Sequence, residues 1–239
     1  MIREINKKKF LLDNRKPYPL SMENYLREVW LSEWICSSNK LSGCKLTLNE
    51  TINIMKGNCL LEKTIEDHME VKCHEEAIQF MEKMASRKEN ISFAFIGKIH
   101  TLLTDAEISD FRKNNPVIQN MRYVPCHFKE IPSQIEDLIS WYILEGLKMN
   151  AVLRGTLLHN KFIAIYPYES DNEKIARCLL NYELLKEGLT PIDFNMPSKT
   201  YFNMMSSYVN KEDITEFYAL ILKLVDARLE LFLRLTSDN

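Results

Sequence analysis

The segment Tyr166-Pro-Tyr-Glu-Ser-Asp-Asn-Glu-Lys-Ile-Ala-Arg177 gathers more polar chemistry than any other stretch of this chain. Pro167 separates the apolar run Phe162–Ile165 from a second apolar pattern over Ile175–Lys186, so the polar groups stand at the N-terminus of a helix. Such an end carries unpaired N–H groups and the positive pole of the helix dipole, and it can receive an anion. Lys174 and Arg177 lie one turn apart there, where positive charge opposes the dipole. The pair suits an anion or an acidic partner; the competing arrangement is neutralisation by Asp171 or Glu173. A second polar stretch, Ser37-Ser-Asn-Lys-Leu-Ser-Gly-Cys-Lys-Leu-Thr47, joins two early helices. The cluster His68-x4-Cys73-His74 has no second ligand pair, so it reads as structural rather than as a zinc site. The cysteines are dispersed with no C-x-x-C pair, in a long chain with ample apolar residues, which points to free thiols in a reducing compartment.

The elements that must hold these groups are mostly helical. With 239 residues and 46% hydrophobic content, the chain can bury a substantial core, and wholesale disorder is excluded. Only 6 Gly are available for the tight turns an all-β chain needs. Apolar spacing predicts helices over 21–36, 62–86, 90–103, 131–149, 151–164 and 174–187. Thr47 with Glu50 forms a capping box for a short helix that stops at Gly57, and Gly188 takes the C′ position of the 174–187 helix. Ser198 is expected to cap the next helix, and Asp213 or a neighbour opens a long last one with a stripe through Phe217, Leu220, Leu224, Ala227, Leu231 and Leu235. Residues 116–128, with two prolines and no helical period, predict a short extended or hairpin-like segment. The eleven methionines sit mostly at helical core spacing and need no cofactor. The lysine-rich start reads as a solvated, mobile arm or an edge contact. A formal net charge of −2 offers no global attraction for nucleic acid or an anionic membrane, and no apolar run is long enough to span a bilayer.

The run His159-Asn-Lys-Phe-Ile-Ala-Ile-Tyr-Pro-Tyr-Glu-Ser-Asp-Asn-Glu-Lys-Ile-Ala-Arg177 resembles the central motif of Fic-domain proteins, H-x-x-F-x-x-I-H-P-F-x-[DE]-G-N-[GK]-R-x-x-R. The early loop is similar to that family's inhibitory region, S-N-x-I-E-G-N-T-L-T, through Ser38, Asn39, Leu41, Gly43, Leu46 and Thr47. The resemblance implies an all-α Fic-like fold with a short β-hairpin flap. It divides the chain into a basic arm over 1–18 and a single domain over 19–239, with a diverged inhibitory region at 19–60 and the Fic core at 88–236. Family members typically transfer AMP, or another phosphate-containing moiety, to a target hydroxyl. In them the motif His is the base, an acidic residue holds Mg²⁺, and glycines, Asn and two arginines surround the phosphates.

Carried over residue by residue, the resemblance puts Tyr166 at the position of the general base, and a phenol is a poor base at neutral pH beside imidazole. Ser170 replaces the metal-binding carboxylate, so no metal ligand is implied. Asp171 and Glu173 stand where small anion-hole residues belong. Asn172 is retained, Lys174 replaces the first Arg, and Arg177 matches the second. Tyr201 is expected to line the former nucleotide pocket, and His159 to be a buried scaffold residue. Arg122, Tyr123, Val124 and Pro125 correspond to the target-binding flap, which adds a segment of the target by strand pairing. Ser42 occupies the position of the inhibitory Glu. The resemblance thus implies a degenerate-motif pseudoenzyme that needs no cofactor and binds another protein, or a second copy of itself, through the flap or remnant pocket. Its expected setting is the cytoplasm, or a host cell reached without a signal peptide, as for bacterial effectors with this fold. The alternative is an active AMP or phosphocholine transferase using ATP, Mg²⁺ and non-standard residues.

Overall fold

A computed structural model describes residues 1–237. Local chemistry sets several helix ends. Thr47 accepts a hydrogen bond from the Glu50 amide while Glu50 accepts one from the Thr47 amide, opening α3 (Leu48–Met55). Thr64 and Asp67 make the same reciprocal pair at the start of α4 (Ile65–Ser86). Gly188, at φ +70°, stops α8 (Asn172–Lys186): its amide bonds the Leu185 carbonyl, and the Leu189 amide bonds that of Leu184. This is the Schellman closure for which glycine is the unstrained residue.

Among the described residues the other helices are α1 (Ile2–Asp13), α2 (Leu20–Leu41), α5 (Phe93–Thr104), α6 (Ile131–Leu144), α7 (Ala151–Ile165), α9 (Ser198–Lys211) and α10 (Thr215–Leu235). None is long and apolar enough to cross a membrane. The centre is the α7–α8 pair. Almost every residue of α8 is buried, including Ile175, Cys178, Leu179, Tyr182 and Leu184; a helix covered on all sides lies inside its domain. Gly155 permits this closeness, because a Cβ there would stand 3.0 Å from the Leu180 carbonyl oxygen. α2, α4 and α5 pack on α8 from one side, and α6, α9 and α10 pack around α7.

Several expectations need correction. Of the two readings of the lysine-rich start, the mobile arm gives way to the edge contact: it forms helix α1, which lies along α10 with Ile5 and Leu12 buried and Lys8 paired with Asp226 and Glu230. Its i, i+3 apolar positions were masked by the lysines between them. α2 runs on to Leu41, so the first part of the expected loop is helical and faces α8. The helix expected over 131–149 ends at Leu144 and continues as a 3-10 turn, Gly146–Lys148. Ser198 is inside α9 rather than its cap; Pro197 precedes the helix and Ser198 makes no capping bond. The β-hairpin flap is reduced to one antiparallel bridge, Ile118 to Tyr123, around the 3-10 turn Gln119–Met121. Pro116 and Pro125 flank the bridge, and proline can donate nothing to a longer ladder.

Candidate functional site

The loop between α7 and α8 is shaped by two residues in the left-handed region, Tyr166 (φ +51°) and Asp171 (φ +60°). Side-chain-bearing residues enter this region at a cost of roughly 1–2 kcal/mol, so their surroundings must hold them there. Arg112, buried in the segment between α5 and α6, does much of this. Its Nε donates to the Tyr166 carbonyl at 2.7 Å, and its guanidinium also reaches the carbonyls of Asn114 and Cys126 at 2.6 Å each. Its own amide bonds the Pro167 carbonyl at 2.9 Å. Asn172 closes the other end, accepting from the Tyr168 amide at 3.0 Å and donating to the Tyr168 carbonyl at 2.8 Å. Asn172 is therefore a loop clamp, with both ends of its amide engaged. The stacked ring of His100, 3.8 Å from that of Tyr168, secures the middle. Arg112 is a positioning residue that sequence reasoning missed; it stands outside any motif, and only the tertiary contacts mark it.

Lys174 and Arg177, the two cations of α8 nearest the loop, are both buried and both engaged. Lys174 Nζ lies 2.5 Å from Glu70 Oε1 and 3.0 Å from Asp171 Oδ1. Burial pulls its pKa down, but the carboxylates of Asp171 and Glu70 outweigh burial and hold it above the ordinary lysine value. Arg177 has no carboxylate partner within 4.0 Å among the described residues. Instead Nε donates to Ser38 Oγ at 2.8 Å, and Nη2 donates to the Ser38 carbonyl and to Ser42 Oγ at 3.0 Å each. Nη1 reaches the Tyr201 hydroxyl at 3.3 Å. The last turn of α2 and the Ser42 that follows it thus sit on the guanidinium.

Tyr166 is half-buried, and its hydroxyl donates to Glu173 Oε1 at 3.1 Å. Burial, then the charge and hydrogen bond of Glu173, push its pKa well above the usual phenol value. A phenol held so firmly protonated is no base at neutral pH. Ser170 donates to Asp171 Oδ2 at 2.9 Å, and no group of His, Cys, Asp and Glu among the described residues could hold a metal ion. The residues present do not fit a nucleotide triphosphate with Mg²⁺: two carboxylates, Asp171 and Glu173, border the cradle, and its lysine is already neutralised. At about 4 Å and an effective dielectric of about 20, each such like-charge contact opposes an anion by on the order of 4 kcal/mol.

Tyr201 is wholly buried rather than lining an open pocket; its hydroxyl bridges Arg177 and His159 Nε2, the latter at 2.8 Å. His159 is buried as expected, and its Nδ1 has no hydrogen-bond partner among the described residues. His74 is also buried, with Asn39 Oδ1 at 2.8 Å from Nδ1 and Cys178 Sγ at 3.8 Å from Nε2. Although Cys, His and Asn meet here, burial pushes the Cys178 thiol up to about 12, so it is no nucleophile. His68 caps the α4 entry through Thr64 and Leu60, a structural role. The flap residues part company. Tyr123, Val124 and Pro125 line a recess of about 530 Å³ against α6 and α7. Arg122, itself at φ +49°, faces a second recess of about 400 Å³ with Asn203, Ser206 and Asn210 of α9. Ser206 and Asn210 fix this turn by bonding the Met121 carbonyl at 3.0 and 3.1 Å.

Comparison with known proteins places this geometry. The model of the Fic/DOC family matches residues 90–184. Among curated proteins, "Protein adenylyltransferase fic-1" of Caenorhabditis elegans is 22% identical over 235 residues, covering 95% of this chain and 46% of the relative. "Protein adenylyltransferase Fic" of Drosophila melanogaster is 24% identical over 208 residues, covering 83% and 41%. The chain spans about half the length of the curated relatives it matches. A Fic domain containing signaling protein from Bacteroides thetaiotaomicron superposes with a TM-score of 0.91 at 20% identity, over 99% of this chain and 98% of that one. Fic-1 from C. elegans superposes with a TM-score of 0.77 at 20% identity, over 98% and 70%. These likenesses establish the all-α Fic fold.

Proposed function

We propose that this Fic-family chain, whose residues 90–184 match the family model and whose fold is the family's, is a binding module that has left AMP transfer behind. One observation carries the reading: the cationic groups of the cradle are already satisfied from within. Lys174 is held by Glu70 and Asp171, while Arg177 is covered by Ser38, Ser42 and Tyr201. An incoming phosphate would have to displace the end of α2 and compete with two carboxylates. No imidazole stands at position 166 to take a proton from a target hydroxyl, and Tyr166 is itself a donor to Glu173. What such a chain retains is a rigid scaffold with a short flap segment and recesses on either side of it, suited to holding another protein.

A second reading is an active transferase with altered site residues. It is favoured by the relatives named protein adenylyltransferases and by Arg177, a buried cation with no carboxylate partner among the described residues. Isothermal calorimetry with ATP, GTP and CDP-choline, with and without Mg²⁺, separates the two. No heat of binding is expected from the wild type. Micromolar binding, or nucleotide labelling of a cell lysate equal to that of the variant Tyr166→His, Ser170→Asp, Asp171→Gly, Glu173→Gly, Lys174→Arg, would establish the second reading instead.

A further inference from the structure

The recess beside Tyr123 is the larger of the two at the flap, and its chemistry is more specific than a generic docking surface. Its volume, about 530 Å³, lies in the range of small-ligand clefts and leaves room for a long side chain with the backbone that carries it. Three aromatic residues line it: Tyr123, Trp141 and Tyr208. The carboxylates of Asp137 and Glu212 stand at its edge, both exposed, and neither makes an ion pair among the described residues. The last turn of α7 supplies Ala164 and Ile165, and Tyr208 with Glu212 brings the last turn of α9. The carbonyls that end α7 are taken by the Tyr123 hydroxyl and the Arg112 guanidinium, so the negative character of the hollow comes from the two carboxylates and the C-terminal end of α9. Lys161 is the one cation in the lining, and its ammonium lies 4.8 Å from the centre of the Trp141 ring. The molecule's own lysine thus demonstrates what that ring face attracts.

We infer that this recess receives a basic side chain, arginine or lysine, presented on an extended segment of a partner protein. The inference rests on the protein-binding reading above and names the chemistry of the partner. A guanidinium would stack on the aromatic wall, donate to Asp137 and Glu212, and shift Lys161 away from Trp141.

The test uses the full chain and fluorescein-labelled decapeptides of Gly and Ser carrying two arginines, two citrullines or two glutamates, followed by anisotropy at physiological salt. Citrulline keeps the shape of arginine and removes its charge. The arginine peptide should bind and the other two should not. Asp137→Asn with Glu212→Gln should weaken it about tenfold or more, whereas Glu62→Gln with Glu66→Gln, charges in the Leu60–Glu66 segment before and at the start of α4, should leave it unchanged. In the labelled protein, the Trp141 indole resonance should move while those of the buried Trp30 and Trp34 stay. Absence of binding, equal binding of the citrulline peptide, equal loss in the control variant, or a silent Trp141 each overturns the inference. The assay contains no nucleotide, so its failure leaves the calorimetry result standing, and nucleotide binding would sink the earlier reading without altering the peptide result.

Discussion

Arg177 is the residue on which the cradle turns. A guanidinium carries five N–H donors and a charge that cannot be shed, yet every partner it has here is neutral: the oxygens of Ser38, Ser42 and Tyr201. Ser42→Glu would place a carboxylate within reach of Nη2 and convert a neutral contact into a charge-assisted one. Position 42 is exposed, so solvent screens part of the gain. A stabilisation of about 1 kcal/mol, or roughly 2–4 °C in Tm for a chain of this size, is expected by thermal denaturation. A Tm equal to that of Ser42→Ala would show that the guanidinium is out of reach of a longer side chain. At this scale the sequence identified Lys174, Arg177, Tyr166 and Ser42 by their places in a motif. It could not identify Glu70 or Arg112 as their partners, because those lie 104 and 54 residues away along the chain.

Among the elements, α1 is the one whose two readings, solvated arm or edge contact, only the packing separates. Its lysines suggest solvent, but Ile5 is 1% exposed against α10, whereas Phe10 is 64% exposed on the far face. Ile5→Ala should therefore cost about 2–5 kcal/mol by urea denaturation, and Phe10→Ala less than about 0.5 kcal/mol. Equal small effects would mean that α1 is only loosely attached. Helix ends governed by neighbouring residues were legible: Thr47 with Glu50, and Gly188. The hairpin was not, since strand pairing depends on what lies alongside, and the turn at 119–121 is held by Ser206 and Asn210 of α9 rather than by a ladder.

For the molecule as a whole, two wholly buried histidines set most of an acid limit, to which His100, also lowered by burial, adds. His74 and His159 have pKa values well below the ordinary 6.5, chiefly because burial disfavours the imidazolium; the charge of Lys174 and then Arg177 adds to this at His74, and that of Arg177 at His159. On unfolding each returns to its ordinary value and takes up a proton below it, so the unfolded chain binds more protons in acid. Stability contributed by their neutrality is complete above about pH 6.5 and falls as pH drops, by about 2.7 kcal/mol per pH unit once both titrate in the unfolded chain. Urea midpoints measured from pH 7.5 to 5 should decline, and His159→Gln should flatten the slope by about a third to a half. A slope unchanged by that substitution would assign the acid sensitivity to other groups.

By itself, the sequence determined the helical class, the family resemblance and which residue types stand at the positions of the resembled motif, because these are properties of residue type and spacing along one strand of chain. Only the tertiary structure decided that α2 ends on Arg177, that Glu70 neutralises Lys174, and that aromatic rings and carboxylates from α6, α7 and α9 share one hollow. Coulomb and packing interactions act across space, and no spacing rule reports which distant residues the fold will bring within reach of one another.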